Sequence, residues 1–297
     1  MDANSGSAEF GAGGGNRTLE ASLENWSFTT KLRPQSEARR AFPATPLGQA
    51  RSPACVNLVL FEAGEIGRPL PCSDRRVRHV LEVLRLGAGE PFDAGVVNGP
   101  RGRARLTAVA AESAESATFA FEPTHPAEAP AAITLLAGLP RPQTARDILR
   151  DATTLGVAAL HFVVTEKTEP GYARSTLWTS GEWRRHLIAG AEQAFDTLLP
   201  EVTWGRPLAS VVAALGAGGD RIALDNYESP APLGTALLTP GRPVVLAVGG
   251  ERGWSAADRT ALRAAGFAFH HLGRRVLRAE SAAVAALAIT RARLGLM

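Results

Sequence analysis

A glycine-rich turn that follows a buried strand constrains the fold of this chain more than any other feature. Residues 243–248 form a short apolar run rich in β-branched side chains, which predicts a buried strand. Gly249, Gly250 and Gly253 follow within five positions, and glycine lets a backbone approach a ligand where a Cβ would collide. Glycines that only form a tight turn are the alternative, because a short glycine-rich loop is a weak signal of binding.

The chain after this turn continues as alternating helices and strands. Ser255 and Asp258 match a helix capping box, and the helix that they begin is expected to end at Gly266. A second strand, residues 267–272, leads into a charged loop and then into an apolar helix over residues 282–294. This alternation predicts an α/β domain with a parallel sheet, in which ligands bind at the carboxyl ends of the strands. A pocket is therefore expected where the two loops lie.

The composition argues against several classes of protein. With 45% hydrophobic and 21% charged residues, the 297-residue sequence predicts a globular protein of one large or two ordinary domains. No apolar run is long enough to span a bilayer, and no secretory signal is visible, so no membrane partner is expected. Cys55 and Cys72 form no metal-like cluster, which predicts reduced thiols in a cytoplasmic protein without a metal. No P-loop motif occurs, which argues against nucleotide hydrolysis.

Arginine carries almost all of the positive charge. The net charge is only +3, yet among 32 basic residues only Lys31 and Lys167 are lysines. Arginine pairs bidentately with phosphate and stacks on bases, which suits RNA. A GC-rich genome would produce the same bias without any function, so composition alone leaves both explanations open.

The chain divides into three parts by its patterning. Residues 1–55 combine a glycine run with scattered serines, which predicts a disordered leader, and a natural start near Val56 is the sharper hypothesis. Residues 56–128 predict short strands around one helix, residues 74–86, and therefore a small β-barrel. Residues 129–297 alternate strands and helices and predict one α/β unit.

Basic side chains concentrate in the predicted barrel. Some lie on or near its helix, and others follow a turn at Asn98, where a strand would point every second side chain to one face. Such a stripe suits contacts with RNA phosphates, whereas a solvated strand face is the alternative. The candidates for RNA contact are Arg75, Arg78, His79, Arg85, Arg101, Arg103 and Arg105.

Two segments of the C-terminal stretch resemble the signature of one enzyme family. Residues 249–255 read Gly-Gly-Glu-Arg-Gly-Trp-Ser, and residues 272–282 read Leu-Gly-Arg-Arg-Val-Leu-Arg-Ala-Glu-Ser-Ala. They resemble Gly-Pro-Glu-Gly-Gly-Phe-Ser and Leu-Gly-x-Arg-Ile-Leu-Arg-x-Glu-Thr-Ala of the small-subunit ribosomal RNA uridine-N3 methyltransferase family, which belongs to the SPOUT class. The second segment is the more specific, and a weaker resemblance extends to about Val56.

The resemblance implies a fold, a cofactor and partners. The implied fold is a SPOUT-type α/β domain with a trefoil-knotted parallel sheet, preceded by a small PUA-like or OB-like β-barrel. S-adenosyl-L-methionine is expected among three loops, with small-subunit ribosomal RNA as partner and a homodimer that completes the site. The residues that the resemblance implies for the cofactor are Leu224, Val248, Gly249, Gly250, Gly253, Leu272, Gly273, Val276 and Leu277.

The resemblance also implies a reaction, the methylation of uridine N3 in 16S ribosomal RNA. The protein must align the reacting atoms, and the N3 proton must leave, so a base or a charge stabiliser helps. Glu280 is the first candidate for the base and Glu251 the second. Arg278 and Arg275 are candidates for binding phosphate or stabilising the developing anion. The alternative for each carboxylate is to cap a helix or pair with arginine, and capping is the favoured single role for Glu280.

The sequence departs from the family pattern in the cofactor loop and in two segments that precede it. Gly250 replaces proline and Arg252 replaces glycine, while Asp151 and Thr154 replace lysine and glutamate, and Asp196 replaces arginine. The loss of a lysine and an arginine would weaken phosphate binding, whereas Arg252 is expected to add a contact in the cofactor loop. Two alternatives therefore stay open: a SPOUT-fold methyltransferase that acts on a small molecule or peptide, and a non-catalytic RNA-binding protein.

Overall fold

Two β-sheets organise the part of the chain that the structure, a computed structural model, describes. The described residues are 58–109, 116–216 and 218–297. They fall within one compact unit. The predicted leader and the hypothesis of a start near Val56 lie outside them.

Five strands form the first sheet. They are β1 (Val59–Phe61), β2 (Leu70–Pro71), β3 (Pro91–Val96), β4 (Arg101–Val109) and β5 (Ser116–His125). Their order is β1-β3-β4-β5-β2, with one parallel pair, β1 and β3, and antiparallel pairs elsewhere. The rings of Phe61, Phe92 and Phe119 meet in the core of this sheet. No pairing within the described ranges joins β1 to β2, so a closed barrel stays a prediction.

The helix beside the first sheet differs from the one predicted over residues 74–86. Its first part, α1 (Arg75–Arg78), continues as a single π-helical turn (His79–Val83). Asp74 caps α1 through its side chain, which accepts the backbone N–H of Arg76. A left-handed φ of 54° at Arg85 then ends the helical geometry. The predicted helical stretch is therefore present over residues 75–83, but its second part is π-helical, because apolar spacing does not distinguish an α-helix from a π-helical turn.

Seven strands form the second sheet. They are β6 (Ala131–Gly138), β7 (Val157–Val164), β8 (Glu201–Pro207), β9 (Asp220–Leu224), β10 (Ala231–Pro232), β11 (Val244–Val248) and β12 (Ala268–His271). All neighbours are parallel, in the order β10-β12-β9-β11-β6-β7-β8, which confirms the predicted parallel sheet. The sequence prediction missed β8 and β10, because β8 is an edge strand with no fully buried residue and β10 has two residues.

Helices cover both faces of the second sheet. They are α2 (Pro142–Thr154), α3 (Thr176–Thr179), α4 (Glu182–Ala194), α5 (Leu208–Ala214), α6 (Ala256–Ala264) and α7 (Ala279–Arg293). Side chains of α2, α3, α4 and α7 pack on one face and those of α5 and α6 on the other. Every residue of β11 is buried, as expected of an apolar strand that is covered on both sides. None of the helices described here is long and apolar enough to cross a membrane.

Two helix boundaries differ from the sequence prediction. One helix was expected over residues 177–195, but Gly181, with a φ of 75°, separates α3 from α4. The last helix was expected to begin at Ala282, yet α7 begins at Ala279. Glu280 therefore lies inside the first turn of α7, whose N-cap residue is Arg278.

Charged and apolar contacts fix the first sheet against α4. Arg184 binds Glu62 through both carboxylate oxygens, at 2.7 and 2.8 Å. Arg75 binds Glu192 in the same bidentate way, at 2.9 and 3.1 Å. An apolar cluster between them is formed by Leu58, Leu60, Val97 and Ala191. The first sheet is therefore held in a defined position relative to the second.

The predicted capping box is present at the start of α6. Ser255 Oγ accepts the Asp258 N–H at 3.0 Å, and an Asp258 carboxylate oxygen accepts the Ser255 N–H at 2.9 Å. Ser255→Ala is expected to lower the free energy of unfolding by about 1 kcal/mol, measured by urea denaturation. Thr260→Ala on the same helix is the control, because its hydroxyl donates to the Ala256 carbonyl within the helix and caps no terminus. Equal losses in both variants would contradict the capping role.

Candidate active site

A cavity of about 700 Å³ opens at the carboxyl ends of three neighbouring strands. Leu224 ends β9, Val248 ends β11, and Leu272 follows β12, so the three predicted loops meet around one space. The volume lies within the range of about 300–1,000 Å³ that is typical of small-molecule sites. The pocket expected at this edge of the sheet is therefore present.

The cavity wall contains most of the residues predicted to hold a cofactor. Nine residues were predicted to hold the cofactor, and all of them except Gly273 line the cavity. Gly273 lies beside the wall with a φ of 106°. Val276 is 80% exposed and Leu277 is 40% exposed, which is unusual for large apolar side chains. Apolar side chains and loop backbone together suit a ligand with a flat ring and several polar groups.

The glycine loop, residues 249–253, folds back on itself along one side of the cavity. The Gly253 N–H donates to the Gly250 carbonyl at 2.9 Å, which closes a tight turn. Gly253 has a φ of 61°, where a side chain is strained. A Cβ on Gly249 would lie 3.0 Å from the Gly253 Cα. The glycines therefore make a tight turn, as one interpretation of the sequence had it. They also leave the backbone at their own positions without side chains along the cavity, as the other had it.

Asp225 organises the loop after β9. Its Oδ1 accepts the N–H groups of Tyr227 and Glu228 at 2.6 and 3.0 Å, and its Oδ2 accepts Arg259 Nε at 2.6 Å. Burial raises the pKa of Asp225, but the hydrogen bonds from Arg259 and the two amides outweigh it, so the pKa lies below its usual value. Arg259 also lies over the Tyr227 ring, 5.7 Å from its centroid. The charged carboxylate thus ties the loop to α6.

Further contacts hold the glycine loop against the neighbouring strands. Trp254 is buried and donates its indole N–H to the Leu224 carbonyl at 2.9 Å, which links this loop to β9. Lys167 Nζ donates to the carbonyls of Arg252 and Trp254 at 3.1 and 3.0 Å. Arg252 forms an ion pair with Glu169 at 2.8 Å. The added contact of Arg252 therefore anchors the loop to the segment after β7.

All three catalytic candidates line the cavity. Glu280 is half-buried in the first turn of α7, and Arg278 precedes it at the N-cap position. Glu251 Oε1 accepts the backbone N–H of Arg141 at 3.1 Å. Glu251 therefore caps the N-terminus of α2, where a carboxylate is stabilised by the unpaired amides of the first turn.

A second and smaller cavity, of about 120 Å³, lies beside the first. Arg141 and residues 250–253 line both cavities, so the glycine loop forms the shared wall. The other side of the small cavity comes from the ends of β6 and β7 and the segment that follows β7. Its remaining lining residues are Leu139, Thr165, Lys167, Thr168, Glu169 and Tyr172.

Most of the arginines predicted to contact RNA are engaged within the protein. Arg75 binds Glu192, as described above, and Arg78 binds Glu82. Arg103 binds Asp93 at 2.8 Å, while Arg101 and Arg105 donate to the carbonyls of Phe195 and Gly89. Arg85 is exposed and makes no ion pair within the described ranges, and His79 has a buried Nε2 that lacks a hydrogen-bond partner there.

The residues that depart from the family pattern have local structural contacts. Asp151 pairs with Arg150 at 2.9 Å, and Thr154 donates to the Gly190 carbonyl at 3.1 Å, where α2 meets α4. Asp196 Oδ1 accepts two backbone N–H groups in the turn after α4. Gly250 lies against the Gly138 backbone. None of these four positions therefore places an additional charge in the large cavity.

Several cavity residues were not assigned a role from the sequence. Asp225 directly follows β9, so its position at a carboxyl strand end was the available signal. The partners Arg259 and Arg141 lie 34 and 110 residues away from Asp225 and Glu251, respectively, and no local pattern pairs them. Among the described residues, no group of three or more His, Cys, Asp or Glu side chains is placed to hold a metal.

Comparisons with known proteins agree with this geometry. The profile of the family described as RNA methyltransferase domain matches residues 127–291, more than half of the chain. The chain is 36% identical to Ribosomal RNA small subunit methyltransferase E of Treponema pallidum over 79% of this chain and 90% of that protein. The Synechocystis protein of the same name is 31% identical over 72% of this chain and 69% of its own length.

A solved structure extends the comparison to three dimensions. Ribosomal RNA small subunit methyltransferase E from Neisseria gonorrhoeae, crystallised with S-adenosyl methionine bound, superposes with a TM-score of 0.65 at 25% identity. The match covers 80% of this chain and 97% of that one. Profile, sequence identity and fold agree, and the chain belongs to the ribosomal RNA small subunit methyltransferase E family.

Proposed function

We propose that this chain transfers a methyl group from S-adenosyl-L-methionine to N3 of a uridine in 16S ribosomal RNA. The observation that carries the proposal is the convergence of three loops on one cavity of about 700 Å³ at the carboxyl ends of β9, β11 and β12. The Neisseria relative was solved with S-adenosyl methionine, and the curated relatives are named as methyltransferases of small-subunit ribosomal RNA.

The residues of the cavity fit this methyl donor. Leu224, Val248, Leu272, Val276 and Leu277 offer apolar surface to the adenine ring, and the backbone of the glycine loop offers amides and carbonyls to its polar edges. When bound, S-adenosyl-L-methionine supplies a methyl group on an already reactive sulfonium. The work left to the protein is to align the acceptor, exclude water and remove a proton.

The proposal also includes the knot, the barrel, the domain boundaries and the dimer that the family resemblance implies. We infer a trefoil knot in the C-terminal part, supported by the position of β12 between β9 and β10, and a PUA-like barrel for the first sheet. The gap between the end of β5 at His125 and the start of β6 at Ala131 supports domains over residues 56–128 and 129–297. A homodimer through the apolar helix α7 and a cytoplasmic location complete the proposal.

The decisive experiment follows the methyl group. Purified protein is incubated with tritium-labelled S-adenosyl-L-methionine and small ribosomal subunits from a strain that lacks this gene, and the modified nucleotide is mapped by mass spectrometry. Incorporation at N3 of one uridine is expected. Label that enters only a panel of metabolites or peptides would favour the small-molecule or peptide acceptor. Absence of heat in calorimetry with the methyl donor would favour the non-catalytic RNA-binding alternative.

Phosphate contacts are proposed for the charged loop, residues 273–278. Arg274, Arg275 and Arg278 are exposed there and form no ion pair within the described part of the chain, and the last two line the cavity. Arg85, which follows the helix beside the first sheet, is likewise exposed and forms no ion pair within the described ranges. A guanidinium group that forms no ion pair can use all of its N–H donors to bind phosphate, whereas one that is paired with a carboxylate cannot.

The salt dependence of RNA binding tests this assignment. Arg275→Gln is expected to reduce the slope of log K against log salt by about 0.7–0.9, which corresponds to the loss of one phosphate contact. Arg103→Gln is the matched control, because Arg103 is paired with Asp93 and should leave the slope unchanged. The slopes are measured by filter binding of a 16S fragment between low and physiological salt. A loss of slope only in the Arg103 variant would reject the charged loop as the phosphate site.

A further inference from the structure

The smaller cavity lies where an acceptor for methyl transfer has to be. In-line transfer requires the acceptor atom to come within about 3–3.5 Å of the methyl carbon, so the acceptor site must adjoin the cavity for the methyl donor. The small cavity shares Arg141, Glu251 and the glycine-loop backbone with the large one. Both open at the carboxyl edge of the same sheet.

The size and lining of the small cavity suit one nucleobase. At about 120 Å³ it is well below the range of about 300–1,000 Å³ for larger ligands, which leaves room for a single ring. Tyr172 supplies an aromatic side chain, and Thr165 and Thr168 supply hydroxyl groups. Stacking on aromatic rings and hydrogen bonds to base edges are the means by which proteins hold an unstacked base.

Glu251 and Arg141 stand at the junction of the two cavities. Oε1 of Glu251 accepts the Arg141 N–H at 3.1 Å and lies 3.9 Å from Arg141 Nε. Oε2 of Glu251 has no hydrogen-bond partner among the described residues, so one oxygen orients the carboxylate and the other is free to accept a proton. Glu280 lines the large cavity but not the small one.

We propose that the small cavity is the acceptor subsite, which receives one unpaired pyrimidine base, and that Glu251 removes its ring N–H proton beside Arg141. This inference rests on the proposed methyl-transfer function. The proton passes from N3 to Oε2 of Glu251, the N3 electron pair forms the bond to the methyl carbon, and the electrons of the broken carbon–sulfur bond remain on sulfur. Arg141 offsets the negative charge that develops on the base.

A kinetic comparison tests the role of Glu251. Glu251→Gln is expected to lower the single-turnover rate of methyl transfer at least about 100-fold. Its affinity for S-adenosyl-L-methionine by calorimetry should change less than threefold, and its rate should keep rising with pH after the wild-type rate has levelled. Glu201→Gln, at an exposed edge-strand position, is the charge-matched control and should match the wild type. A greater loss in Glu280→Gln than in Glu251→Gln would overturn the assignment.

A crosslinking experiment tests the subsite without any turnover. Once the methylated nucleotide has been mapped, a 16S fragment with 4-thiouridine at that position is irradiated in complex with the protein and S-adenosylhomocysteine. The crosslink is expected on the peptide that contains Lys167 and Tyr172. A crosslink confined to the first sheet or to the charged loop would overturn the subsite while leaving methyl transfer established. A wild-type protein that methylates no RNA would instead reject the proposed function itself.

Discussion

Replacing Gly138 by alanine is expected to weaken the binding of the methyl donor strongly. Gly138 ends β6, and a Cβ there would lie 2.5 Å from the Gly250 backbone nitrogen and 3.3 Å from the Gly249 carbonyl carbon. Both neighbours are backbone atoms, so no side-chain rotation relieves the clash. The glycine loop must move, and with it one wall of the large cavity. We expect at least about a 100-fold loss of affinity for S-adenosyl-L-methionine, because a mispositioned loop forfeits several backbone contacts at once.

A second glycine provides the control for this variant. Gly234 is exposed in a short turn, and an added Cβ there meets nothing within 4 Å. Gly234→Ala should therefore bind the methyl donor as the wild type does, and calorimetry with both variants makes the comparison. Circular dichroism and thermal unfolding establish that Gly138→Ala remains folded. If folded Gly138→Ala bound the methyl donor normally, the glycine loop would not be part of its site.

The features that the sequence predicted correctly are those encoded by nearby residues. The buried strand β11, the glycine turn and the capping box of Ser255 and Asp258 each depend on fewer than ten consecutive positions. The location of the cavity also followed, because parallel strands bring their carboxyl ends to one edge. The loops after β9 and β12 could be assigned to that edge without knowledge of any side-chain contact.

The features that escaped prediction depend on contacts between distant segments. The arginines of the first sheet and its helix were predicted to contact RNA, and their contacts within the protein were not foreseen: Arg75 reaches Glu192 on α4, 117 residues away, and Arg101 reaches the Phe195 carbonyl. Local spacing places such side chains on a common face but does not identify what covers that face. The same limit applies to Lys167, whose carbonyl partners lie 85 and 87 residues further along the chain.

Asp225→Asn is expected to cause the largest loss of stability of any single substitution of similar size in the site. The Asp225 side chain is 2% exposed and that of Arg259 is 13% exposed, so the substitution leaves a nearly buried guanidinium without its closest carboxylate. Breaking a buried pair from one side costs about 3–5 kcal/mol of unfolding free energy. Glu82→Gln, in the exposed pair with Arg78, should cost less than about 1 kcal/mol. Urea denaturation at pH 7 measures both.

The pH dependence separates the ion pair from simple packing. Because the pKa of Asp225 is lowered in the folded protein, its stabilising contribution is complete above the usual carboxyl range, near pH 4, and is lost as the pH falls through the lowered value. The difference in unfolding free energy between wild type and Asp225→Asn should therefore be constant from pH 7 to pH 5 and shrink below pH 4. The affinity for S-adenosyl-L-methionine at pH 7 should fall more than tenfold, since the loop of Tyr227 loses its anchor. A stability difference that persists unchanged at pH 3 would show that Asp225 acts through shape and hydrogen bonding, with no contribution from its charge.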